Sequence, residues 1–110
     1  MDISAIKKRL KKIDKNYIKS KEIIEDIRSY ESLLMQSYDL IRNANTSESI
    51  RNIYLCRVFL EQQQGEANDS SYHTYTISSL RDRNIPRKEI SSYEEAAKII
   101  MASVKNIKIK

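Results

Sequence analysis

Acid–base or nucleophilic chemistry needs a base, a nucleophile and a scaffold that aims them, and this chain is poor in all three. Its 110 residues include one histidine, His73, one cysteine, Cys56, and one glycine, Gly65. A zinc or copper site needs several His or Cys ligands, and His73 has no second His or Cys near it. A glycine-rich phosphate loop cannot be built with a single Gly. His73 and Asp69 could join one of the many serines in a triad on paper, but that pattern carries little information in a serine-rich chain. The carboxylate pairs Glu25-Asp26 and Glu94-Glu95 are adjacent in sequence, and adjacent helical residues point in different directions. Cys56 lies inside an apolar run and reads as a small core residue. The expectation is a protein that is not an enzyme and holds no metal or cofactor.

Binding chemistry is better represented. Residues 7–21 hold Lys7, Lys8, Arg9, Lys11, Lys12, Lys15, Lys19 and Lys21 against Asp14 alone, a balance of +7. Residues 22–49 reverse the sign, with a balance of −4. The whole chain carries +5, which suits nucleic acid, an anionic surface or an acidic protein partner. On a helix, Lys8, Arg9, Lys12, Lys15 and Lys19 would spread over much of the circumference and could lie along phosphates. The bland alternatives are a solvated face, or pairing with the acidic half of a second copy. Lys greatly outnumbers Arg in this run, and Tyr17 is its one aromatic residue, which does not make a series of rings to stack on bases.

A second candidate lies at residues 75–94. Leu80, Ile85 and Ile90 recur at equal spacing, Asn84 stands where a left-handed turn residue is wanted, and Tyr93 would pack inward. This stretch is similar to a helix-turn-helix. The resemblance implies that Arg87, Lys88 and Ser91 face the groove of a duplex and that Arg81 and Arg83 reach phosphates. Arg83 stands where that motif usually has an apolar residue. An ordinary turn between two bundle helices fits the same spacing. Tyr72 and Tyr75 beside His73 form the one local aromatic cluster, which suggests a pocket for a small anionic nucleotide as a further alternative.

These residues must be held by helices. Steps of three and four residues from Ile3 give Ile3, Ile6, Leu10, Ile13, Tyr17, Ser20, Ile24, Ile27, Glu31, Leu34, Tyr38 and Ile41. All but Ser20 and Glu31 are apolar or aromatic, a heptad-like seam. The expected element is one helix over 3–43, ~60 Å long at about 1.5 Å per residue. A chain of this size has a radius of gyration of only about 13 Å. A helix that long either breaks, or sticks out and finds a second copy or a partner. The seam of Ile3, Ile6, Leu10, Ile13, Tyr17, Ile24, Ile27 and Leu34 is expected to be covered by a second copy, a dimer being the simplest closed form.

After a connector at 43–47, with Asn45, Thr46 or Ser47 as cap, a second helix is expected over 47–64. Gly65 stands at its C-terminal cap position. Strand geometry is an alternative for 53–60 because β-branched and aromatic residues are frequent there. Residues 72–83 are ambiguous between helix and strand. A last helix is expected over 87–107, starting at Arg87 or at Ser92, which with Glu95 forms a capping box.

The fold class read from these patterns is all-α: three to four helices with a long coiled-coil-like N-terminal helix, arranged as a bundle or αα-hairpins and homo-oligomeric. The basic N-terminus has no continuous apolar block behind it, so neither a signal peptide nor a membrane span is expected, and cytoplasmic residence is the default. The leading functional expectation is a small basic regulatory protein that binds nucleic acid. The alternative is a protein-directed adaptor or inhibitor of the kind that would suit a phage or other mobile element.

Overall fold

The computed structural model describes residues 3–36, 44–65 and 90–107, and in them the chain is all-helical, with no strand. Helix α1 spans Ile3–Leu10, a 3-10 turn spans Tyr17–Lys19, α2 spans Lys21–Met35, α3 spans Ala44–Gln63 and α4 spans Tyr93–Asn106.

The long N-terminal helix is not formed. After Leu10 the hydrogen bonding tightens, Lys12 N–H donating to the Arg9 carbonyl at 3.1 Å. Asp14 then diverts the backbone. Its Oδ1 accepts from the N–H groups of Asn16 at 3.0 Å and Tyr17 at 2.7 Å. Such side-chain bonds compete with helix propagation and nucleate a turn. Ser20 starts the next helix. It has extended geometry, and its Oγ accepts from the Ile23 N–H at 3.4 Å. The periodic pattern continues across 11–20 although the helix does not, because Ile13 and Tyr17 pack against the core and Ile18 enters it from the turn.

The seam is consequently covered within the chain. Ile6, Leu10, Ile24, Ile27 and Leu34 are all buried in one core with residues of α3 and α4, and Ile3, Ile13 and Tyr17 pack at its margin. The reason for invoking a second copy was the length of the rod, and that length is absent. Each such Ile or Leu contributes about 1.5–3 kcal/mol when fully buried.

Helix α3 includes the region where strand geometry was an alternative. Its buried residues Ile50, Ile53, Cys56, Arg57, Leu60 and Glu61 follow helical spacing. It begins at Ala44, earlier than expected, so Thr46 and Ser47 lie buried inside it rather than in a connector. Gly65 ends it with φ of +70°, a left-handed conformation that glycine adopts without Cβ strain. Helix α4 starts after Ser92, whose Oγ accepts from the Glu95 N–H at 3.1 Å, as the capping box implied. The most extensive packing is between α3 and α4. Small residues of α4 permit it: Ala96 is fully buried, and Cys56 Sγ donates to its carbonyl at 3.7 Å. No helix among the described residues is long and apolar enough to cross a membrane.

Candidate nucleic-acid interface

Burying Ile6 and Leu10 decides where the charges of α1 go. Lys8, Lys11, Lys12, Lys15, Lys19 and Lys21 are exposed, and none of them is in a salt bridge among the described residues. The two other basic residues of the run have structural duties. Lys7 is partly covered, and its Nζ donates to the Ile107 carbonyl at 3.2 Å, placing a cation at the C-terminal end of α4 where the helix dipole favours it. Burial, with Lys11 nearby, lowers its pKa. Arg9 forks onto Asp26 of α2, Nε to Oδ2 at 3.1 Å and Nη2 to Oδ1 at 3.0 Å. The bond to Asp26 strengthens the charged state of Arg9. The Tyr17 hydroxyl also donates to Asp26 Oδ2. Burial, followed by the Asp26 carboxylate, raises the pKa of that phenol. Arg9, expected to be a ligand-binding residue, thus joins α1 to α2.

Two open depressions lie on this basic surface, each of about 510 Å³. The first is lined by Ala5, Lys8, Arg9, Lys12 and Tyr17, with Asp14 and Glu22. The second is more apolar, walled by Ile13, Ile18, Tyr93, Ala97 and Met101, with Lys15, Lys19, Lys98, Asp14 and Glu94 around it. Asp14 lines both, so they adjoin. The turn between them is anchored from the residue that follows α3: Gln64 Nε2 donates to the carbonyls of Lys19 at 3.3 Å and Ser20 at 2.8 Å.

Tyr93 was not legible as part of this surface from sequence, being far from the basic run along the chain. Its ring meets Phe59 edge-on, with centroids 5.8 Å apart and planes at 73°. Lys19 Nζ lies 5.7 Å from the Tyr93 centroid, within cation–π range.

Between α2 and α3 lies a buried charge network. Arg57 of α3 donates to Glu31 of α2 and to Glu61 of its own helix, and Arg28 reaches Glu61 from the surface at 2.9 Å. Burial is the main cause that raises Glu31, to about 7, against the opposing pull of Arg57. At Arg57 desolvation is the largest single influence, but the two carboxylates together outweigh it and favour its charge. Arg57 Nη2 and Glu61 Oε2 have no hydrogen-bond partner among the described residues. The titratable Glu31 lines neither depression, so its proton is not presented to a ligand there.

Of the sequence candidates, Lys8 and Lys12 come together in the first depression and Lys15 stands on the second. Arg81, Arg83, Arg87 and Lys88 lie outside the described residues, as do His73, Tyr72, Tyr75 and most of the helix-turn-helix-like stretch. Of that stretch, residues 90–94 are described: Ile90 and Tyr93 pack at the margin of the core, and Ser91 is exposed with its Oγ donating to Glu95 Oε2 at 3.1 Å. No family model, curated protein or solved structure matches the chain.

Proposed function

We propose that this chain is a small non-enzymatic binding protein whose basic face, formed by α1 and the following turn, takes nucleic acid. One observation carries the reading: six lysines stand exposed on this face, with only Asp14 and Glu22 as acids in its first depression, while other acids of α2 and α3 are used internally. Asp26 is held by Arg9 and Tyr17, and Glu31 and Glu61 are held by Arg57. Pairing of the basic run with the acidic half of a second copy loses those partners. Six exposed lysines remain on a supported surface, an arrangement that neutralises phosphates and releases counterions. An acidic protein segment is the second reading, favoured by the apolar lining of the depression near Tyr93.

The test is fluorescence anisotropy with labelled oligonucleotides at low and moderate salt. Reversing Lys8 and Lys12 to Glu is expected to weaken binding by about tenfold or more. Reversing Lys105, which is exposed and lines neither depression, should weaken it much less. Equal losses, or no binding at low salt, would remove the proposal.

A further inference from the structure

We infer that the preferred ligand of this face is single-stranded nucleic acid, with an unstacked base entering the depression beside Tyr93 and the adjoining phosphates lying on Lys15 and Lys19. This rests on the nucleic-acid reading above and narrows it to a class of strand.

A duplex hides its base faces, so a surface that met duplex phosphates alone would have no use for an apolar hollow. Here the hollow stands among the lysines. Its volume of about 510 Å³ falls within the roughly 300–1,000 Å³ usual for clefts that hold small organic groups. Ile13, Tyr93 and Met101 are each only partly buried and give it an apolar wall with one aromatic ring. A base laid on such a ring gains stacking energy whatever its sequence, because every base has a π-face.

Geometry prepares the ring for that role. Phe59 meets it edge-on and supports its plane from one side. The Lys19 ammonium lies over the ring, at the kind of position a π-face ligand would take. An incoming base displaces that ammonium from the ring and leaves it beside the phosphate that accompanies the base. The turn that carries Lys19 is itself held by Gln64, so the lysine is presented from a supported backbone.

Two carboxylates face the same hollow and must be reconciled with an anionic ligand. Asp14 spends Oδ1 on the N–H groups of Asn16 and Tyr17, which turn that oxygen toward the backbone. Glu94 lies 3.7 Å from Lys98 in an exposed pair that a phosphate on Lys98 could exchange for.

The experiment compares a short labelled single strand, its duplex, an abasic strand of equal length and polyglutamate as competitor, all against the full chain. The expected result is that the normal strand binds on the order of tenfold more tightly than the abasic strand, and that duplex and polyglutamate bind less well than the normal strand. Tyr93→Leu should abolish the advantage of the normal strand and leave abasic affinity unchanged. If Tyr93→Leu loses its helical circular dichroism, Met101→Gln takes its place, with the same expectation. Equal affinity for normal and abasic strands, or a preference for duplex, would overturn the base-binding inference while leaving the phosphate reading intact. Equal competition by polyglutamate would also overturn it and favour an acidic protein partner. No salt-sensitive binding of any strand would remove both.

Discussion

Arg57 Nε donates to Glu31 Oε1 across 2.7 Å, joining α3 to α2 between two side chains that are 2% and 3% exposed. The same guanidinium donates from Nη1 to Glu61 Oε1 at 2.8 Å. Two carboxylates thus depend on one buried cation, with Arg28 assisting Glu61 from the surface. A buried charge that loses its partner costs more than the pair contributes.

Arg57→Met is therefore expected to destabilise the chain by about 3–5 kcal/mol, because it removes the buried cation that Glu31 and Glu61 share. Replacing Glu31, Arg57 and Glu61 together with apolar residues of similar volume should recover most of that loss. Urea denaturation followed by circular dichroism measures both. A single variant as stable as the parent would contradict the network.

The same site gives stability a pH dependence of known sign. Burial raises Glu31 to about 7, whereas an unfolded Glu titrates near about 4.3. The folded chain therefore holds this proton more tightly than the unfolded chain. The contribution is fully present below about pH 4 and is lost as pH rises through about 7. Glu31→Gln removes the titration, so the stability of the parent relative to this variant should fall across that window. A flat difference in urea midpoint would contradict the assignment.

The break between α1 and α2 rests on two short side chains. Asp14→Ala frees two backbone N–H groups and Ser20→Ala removes the N-cap of α2. Each is expected to cost about 1 kcal/mol, read as a lower thermal midpoint. If residues 11–20 were an ordinary exposed helical segment, both alanines would be neutral or stabilising.

Leu10 tests whether the seam serves the chain's own core. It is fully buried in the described structure, so Leu10→Ala should cost about 2–5 kcal/mol. The parent's unfolding midpoint should not depend on protein concentration, since a seam shared between copies would make it do so. A midpoint that rises with concentration, and a mass in solution of two chains, would restore the oligomeric seam.

Sequence made the helical class visible, together with the caps at Gly65 and Ser92, because those depend on local chemistry. It misled over 3–43 because periodicity records which side chains are buried, not whether the backbone between them stays helical. The two seam positions that broke the apolar rule held the correction. Ser20 is the cap that begins α2, and Glu31 is buried on Arg57. Arg57 itself interrupts an apolar run and has Glu61 four residues on, which announces a buried pair without naming the partner on α2. Arg9 shows the same limit on the surface: its type suggested a phosphate ligand, and its engagement with Asp26 is a fact of tertiary structure. Tyr93 joined the basic face for a similar reason, since nothing local relates residue 93 to residues 13–19.

The most direct measurement is the salt dependence of single-strand binding by the parent chain and by a variant with Lys8, Lys12 and Lys15 changed to Gln. The parent is expected to bind at low salt with a steep negative slope of log affinity against log salt, and the variant should lose about 0.7 of that slope for each phosphate contact removed. Identical slopes, or a parent that binds no strand at low salt, would contradict a nucleic-acid role for this face.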